Sequence, residues 1–162
     1  MTGVITRRET CRLCGGEQLE LALPLAPAPV IDDYIGHDRL SEIQDTYPMD
    51  VYLCNQCGHS QLVDVVDPQI IYGRYIYETT SSPGLVEHFR GYAEDVSEKL
   101  APASDSLVVD IGSNDGTLLR FFKTKGFRVL GVDPAPEIAE RATHDGIETL
   151  PIFFSVEEAK KI

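Results

Sequence analysis

Two C-x-x-C-G elements, Cys11-Arg-Leu-Cys14-Gly15 and Cys54-Asn-Gln-Cys57-Gly58, hold all four cysteines of the chain. Two thiolates at this spacing reach one tetrahedral ion, and the glycine that follows permits the tight turn that aims backbone N–H groups at sulfur. Four thiolates close the shell, so the pattern predicts a structural zinc ion held by Cys11, Cys14, Cys54 and Cys57. A disulfide within each pair, or a redox role, is the competing reading. His37 and His59 could ligate, but a complete shell leaves each as a surface residue. A second constellation is Asp110-Ile-Gly112-Ser113-Asn114-Asp115-Gly116, a glycine-bearing acidic loop after an apolar run. Its glycines let backbone approach a ligand, and the helix that follows offers unpaired N–H donors. The dinucleotide fingerprint G-x-G-x-x-G is not met, because Asn114 stands where the second glycine belongs. A pyrophosphate would lie against Asp110 and Asp115, like charge on like charge; a sulfonium cation meets no such repulsion.

These residues need elements to carry them. Val108 to Ile111 reads as the end of a buried β-strand beginning at Leu107, and Thr117 to about Lys125 as the helix after the loop, closed by Gly126. Phe127 to Val132 is the next strand and ends in Asp133-Pro134, 23 positions after Asp110. A carboxylate about 20 residues on, at the tip of the second strand, is placed to chelate ribose hydroxyls. That placement suits a sulfonium nucleoside and NAD alike, so it supports the fold more than the ligand; an ordinary strand-ending turn is the alternative. Pro136 to about Asp145 is predicted as a helix closed by Gly146, and Ile147 to Ile152 as a third strand. Ser155-Val-Glu-Glu158 fits a capping box for a last helix. Upstream, Ser82-Pro83 opens a helix with Leu85, Phe89, Tyr92, Val96 and Leu100 as its apolar stripe, ending before Pro102. Around the cysteines, Gln18 to Leu23, Val51 to Cys54 and Ser60 to Val65 read as strands, the last two joined by the second knuckle. Pro24 to Pro29 runs extended, Asp32 to Pro48 is an irregular loop, and Pro68 to Tyr72 is one helical turn. Between the modules lies Tyr72-Gly-Arg-Tyr75-Ile-Tyr77-Glu-Thr-Thr-Ser-Ser82. A segment this rich in aromatics packs on something or lines a cleft, and covering a domain junction is the plainer alternative.

The fold class expected is therefore α/β: a small zinc-binding β module (1–67), a tyrosine-rich connector and helix (68–104), and the N-terminal half of a Rossmann-like, doubly wound parallel sheet (105–162). Some 67 residues give a marginal core, the situation in which a metal contributes to folding. The whole chain of 162 residues is 43% apolar with a net charge of −12, which argues against nucleic acid or an anionic membrane as partner. The start is polar, with no secretory signal, and the run Leu19 to Ile31 is broken by Pro24, Pro27 and Pro29 and is too short to span a bilayer. A cytoplasmic protein with reduced thiols is expected.

Taken in order, the motifs resemble the bacterial sugar C-methyltransferases that methylate carbon 3 of nucleotide-linked deoxy-keto sugars, and the loop alone is similar to the S-adenosylmethionine (SAM) site of class I methyltransferases. The resemblance runs through both knuckles, Tyr75-x-Tyr77, Ser81 to Glu87-His88-Phe89, Asp110 to Gly116 and Gly131-Val-Asp-Pro-Ala135. It implies SAM bound by Asp110, Gly112, Ser113, Asn114, Asp115, Gly116, Asp133 and Pro134, and a sugar cleft shaped partly by Tyr75 and Tyr77. Glu78-Thr79-Thr80 departs from the small hydroxyl residues that relatives carry there. The family continues through further sheet strands, acid/base residues and a C-terminal α/β domain. On this reading the chain is an N-terminal fragment, its catalytic residues lie in the absent C-terminal part, and alone it turns over little. Its first sheet strand would be an open edge that needs the missing region or a partner surface. A zinc-dependent binding module with a vestigial α/β half, an N- or O-methyltransferase of another small molecule, and an NAD-dependent sugar oxidoreductase are the alternatives.

Overall fold

The computed structural model describes residues 4–31, 34–73, 75–103 and 105–162. The onset of the expected loop at Asp32, Arg74 of the tyrosine segment and the boundary at Ser104 lie outside the described residues. The chain divides into two compact units, Met1–Arg74 and Tyr75–Ile162.

The first unit is built from short antiparallel strands. β1 (Ile5–Arg7) pairs with β5 (Asp64–Val66), while β2 (Leu19–Leu23), β3 (Val51–Cys54) and β4 (Ser60–Leu62) form a sheet in the order β2-β3-β4. The strand expected from Ser60 to Val65 is thus broken. Val63, only 1% exposed, separates β4 from β5, and the two halves pair in different sheets. β1 was not expected: its three residues are polar or exposed, and its pairing is decided 57 residues away, where Arg7 donates to the Asp64 carboxylate and to the Tyr52 hydroxyl. The long excursion between the knuckles is closed by one antiparallel bridge between Ala28 and Tyr47 and holds a 3-10 turn at His37–Arg39. Helix α1 (Pro68–Tyr72) is the expected single turn, started by Asp67, whose carboxylate accepts from the Gln69 N–H.

The second unit opens with a 3-10 turn (Thr79–Ser81) and helix α2 (Pro83–Leu100). A parallel sheet follows, with β6 (Leu107–Ile111), β7 (Arg128–Val132) and β8 (Thr149–Leu150) in the order β6-β7-β8. Helix α3 (Thr117–Thr124) connects β6 to β7, and α4 (Pro136–His144) connects β7 to β8. β8 is shorter than the run Ile147 to Ile152 suggested, because Ile147 is spent as a core residue before the strand begins and Ile152 turns back onto the Leu150 carbonyl. Right-handed crossovers in one direction put α3 and α4 on the same face. Ala93 of α2, Phe122 of α3 and Phe127 form the core there, with Val96, Val108, Phe121 and Val129 packed against them. The buried stripe of α2 is centred on Ala93, whereas Tyr92 and Leu100 of the expected stripe are 50% and 73% exposed. The opposite face of β6 is open: Leu107, Val109 and Ile111 alternate outward with Val108 inward, and the strand pairs only with β7 among the described residues. Helix α5 (Val156–Ala159) is capped as expected, the Ser155 hydroxyl accepting from the Glu158 N–H.

Candidate metal centre and candidate ligand loop

The first knuckle precedes β2, the second joins β3 to β4, and β2 pairs with β3 so that Leu19 faces Cys54. The sheet therefore brings together two elements 39 residues apart in sequence. The knuckles have the same backbone: the Gly15 N–H donates to the Cys11 carbonyl and the Gly58 N–H to the Cys54 carbonyl, and both glycines have φ near +75° (+74° and +77°). Buried Gln61 on β4 fixes the first knuckle, accepting from the Arg12 N–H and donating to the Thr10 carbonyl. All four sulfurs lie within 4.8 Å of one another, with Cys11 to Cys57 and Cys14 to Cys54 each at 3.7 Å. A tetrahedral zinc with sulfur at about 2.3 Å calls for sulfurs roughly 3.8 Å apart, so the donor set and its spacing both fit. No histidine joins the cluster among the described residues.

The thiols show what such crowding costs without a cation. The backbone N–H of Cys14, then that of Leu13 and the neighbouring thiols, outweigh burial and bring Cys11 down to about 7. The His59 N–H favours a Cys57 thiolate, yet burial and the three facing thiols push it up to about 12. Several thiolates at this distance are compatible only with a bound cation, which makes zinc binding and deprotonation one event.

In the second unit, three carboxylates with three different fates meet at the loop after β6: Asp110 in β6, Asp115 in the loop and Asp133 at the end of β7. The Asp133 carboxylate, 6% exposed, accepts from the Asn114 N–H at 2.8 Å and the Ala135 N–H at 2.9 Å, tying the end of β7 to the loop. Asp115 is equally buried. One of its oxygens accepts from the Thr117 N–H and hydroxyl, and the other from the Thr80 N–H. Burial opposes its charge, but the Thr117 hydroxyl and the Thr80 N–H outweigh that and hold it below the ordinary carboxylate range. Asp110 differs from both. It is half-buried at the tip of β6 and accepts no hydrogen bond from the described residues. Burial first, and the Asp133 carboxylate second, raise its pKa. An unpartnered carboxylate held beside another is an electrostatic demand for a cation.

The glycines also separate. Gly112 has φ +82° and open space where a Cβ would stand. At Gly116, φ +75°, a Cβ would meet Ile147 at 2.9 Å, so the backbone there approaches the core. Gly131 on β7 lets the loop sit down, since a Cβ would lie 2.5 Å from both Ser113 Oγ and Thr149 Oγ1. Ser113 is 4% exposed and its hydroxyl has no hydrogen-bond partner among the described residues. Pro134 follows Asp133 at the mouth of the loop, and Pro136 starts α4. A cavity of about 580 Å³ is lined by Leu107, Arg128, Leu150 and Ile162 among others, and by none of these carboxylates.

Asn114 was noted in the sequence only for not being glycine. It sits at φ +50°, and its amide bridges two stretches 35 residues apart. Its oxygen accepts from the Thr79 N–H (2.9 Å) and hydroxyl, and its nitrogen donates to the Tyr77 carbonyl at 2.8 Å. Tyr77 also donates to the Ser82 hydroxyl, so Ser82 starts α2 without a side-chain cap of its own. The rings of Tyr75 and Tyr77 meet edge to face, 6.4 Å apart. Glu78, the departure from the resembled pattern, pairs with Arg141 of α4. Nothing in local spacing could have signalled Thr79, Thr80 or Arg141.

A four-thiolate cluster on a small β scaffold, followed by a parallel α/β unit with an acidic loop at its strand tips, defines the class: a zinc-module protein with part of a Rossmann-like domain. Comparison with known proteins agrees. Residues 11–72 match the family model Methyltransf_13, described as a zinc binding domain. Over all 162 residues the chain is 29% identical to the C-methyltransferase NovU of Streptomyces niveus. It spans 39% of that relative's length. No described helix is long and apolar enough to cross a membrane.

Proposed function

We propose that this chain carries the methyl-donor half of a SAM-dependent C-methyltransferase acting on a nucleotide-linked deoxy-keto sugar. The observation that carries the reading is Asp110, its carboxylate without a hydrogen-bond donor among the described residues, near the tip of β6 beside Asp133 and close to the open Gly112. A ligand bearing an ammonium or sulfonium charge answers that arrangement, whereas a pyrophosphate aggravates it. Asp110 would hold the amino group of the methionine portion, Gly112 would let the backbone follow the ligand while Gly116 seats the end of the loop on Ile147, and Asp133, with lone pairs beyond the two it uses, would hold ribose hydroxyls beside Pro134. Ser113, Asn114 and Asp115 would shape the loop beneath it. When bound, the donor supplies the methyl group.

Tyr75 and Tyr77 would form part of the sugar wall. The acceptor carbon, acidified by the adjacent keto group, must lose a proton before it attacks the methyl. No base is assigned here to His37, His59, His88 or His144; we place the acid/base groups outside these 162 residues and expect little turnover from them alone. Zinc would serve the first unit as a structural cross-link. The similarity to a C-methyltransferase supports carbon as the site of transfer.

Calorimetric titration with SAM and with NAD tests the reading. Binding of SAM, weakened in Asp110→Asn, is expected. Tighter binding of NAD would favour an oxidoreductase, and binding of neither, with zinc retained, a non-catalytic zinc module.

A further inference from the structure

The stretch Tyr77 to Ser81 is attached to the acidic loop and to α4. Beyond its own 3-10 turn, the Ser81 hydroxyl on the Glu78 carbonyl, and the contacts of Tyr77 with Tyr75 and Ser82, it is held by the Asn114 amide on Tyr77 and Thr79, the Asp115 carboxylate on the Thr80 N–H, and Arg141 on Glu78. Two of these anchors are consecutive residues of the loop assigned above to the donor, and Thr79 is 5% exposed although its neighbour Thr80 is open to solvent. The Asn114 backbone is in turn held by Asp133. One hydrogen-bonded chain therefore runs from Asp133 at the tip of β7, through Asn114, to the Tyr77 carbonyl.

We propose that Asn114 and Asp115 are positioning residues that make the donor loop and the tyrosine segment one mechanical piece, so that donor binding orders the acceptor wall before the acceptor arrives. This rests on the SAM reading of the loop. Physically, a ligand that engages Asp133 and fixes the loop removes freedom from Asn114, and with it from Thr79 and Tyr77, through bonds that already exist. Donor and acceptor affinities are then linked reciprocally, each tightening the other.

The test is residue-resolved hydrogen exchange at the Thr79 and Thr80 amides, whose acceptors are the two side chains in question. In the zinc-loaded full chain, saturating SAM is expected to slow both amides at least tenfold. Asn114→Gly keeps a backbone that tolerates positive φ but deletes the amide; at SAM concentrations raised to saturate the variant, it is expected to show no SAM-dependent slowing at Thr79. Asn114→Asp restores an acceptor for Thr79 and should restore the slowing there. Should Asn114→Gly fail to fold, the exposed substitution Arg141→Gln releases the third anchor and should reduce the SAM effect severalfold. SAM binding with unchanged exchange in the parent, or undiminished slowing in Asn114→Gly or in Arg141→Gln, overturns the coupling alone. Absence of SAM binding in the parent overturns the functional reading, and the coupling with it.

Discussion

The two units reach order by different means. In the first, the fully buried side chains among the described residues are Cys11, Cys54 and Val63, with Gln61 also buried, while Leu21, Leu23 and Leu25 stay exposed. In the second, Leu119, Phe122, Phe127, Val132, Ile138 and Ile147 are buried, and polar groups stitch the loops onto that base. A lobe whose centre is sulfur has little apolar burial to offset chain entropy; a lobe whose centre is hydrocarbon can spend its polar groups on shaping a site. Metal should therefore be indispensable to one unit and irrelevant to the other.

Chelation gives the largest effect that could break this contrast. Removing zinc, or substituting Cys54→Ser, is expected to unfold residues 4–73, since metal binding to such modules is worth about 10 kcal/mol or more, while the helical circular dichroism of the second unit persists. Simultaneous loss of both would show the second unit to depend on the metal too. Gly116→Ala should come next, destabilising the second unit by about 2–4 kcal/mol through its left-handed φ and the collision with Ile147, read as a drop in denaturation midpoint with zinc content unchanged.

Asp110→Asn sharpens the comparison from the other side. It should weaken SAM binding roughly 10–100-fold, the worth of a charge-assisted contact, without lowering the melting temperature. The sign follows from the raised folded-state pKa: ionised Asp110 is disfavoured by folding, so its contribution to stability is lost as pH rises from the ordinary carboxylate value through the folded one, and removing the charge cannot destabilise. Asp115 is the opposite case. Its depressed pKa means a contribution present above the ordinary carboxylate value and lost as pH falls through the folded one, so the acid limb of the melting profile should flatten in Asp115→Asn.

The smallest effect is on zinc. Binding must displace the thiol protons of Cys11, Cys14, Cys54 and Cys57, so zinc affinity should fall as pH falls below the ordinary thiol range; calorimetry in buffers of different ionisation enthalpy reads the proton count. An affinity independent of pH would argue against four thiolate ligands.

Much of this was legible in the sequence because it is local. C-x-x-C-G fixes two sulfurs by its own turn, and the strand, acidic loop and helix of residues 107–124 announce themselves by periodicity and glycine placement. Helix α2 was visible too, although Ala93, small enough to meet the Phe122 and Phe127 cluster, took the core position that Tyr92 was expected to share. The break at Val63 and the pairing of β1 with β5 were not visible, since a three-residue strand carries no pattern of its own and takes its identity from its partner.

Residue order alone placed Asp110, Asp115 and Asp133 at the ends of two predicted parallel strands. Only the tertiary structure decided which acid remained without a partner. Among the described residues, Asp115 and Asp133 accept hydrogen bonds from backbone donors, whereas the Asp110 carboxylate accepts none. Residue type sets what a side chain can do, but whether its capacity is already used depends on donors brought from positions 20 to 40 residues away, which no local pattern encodes.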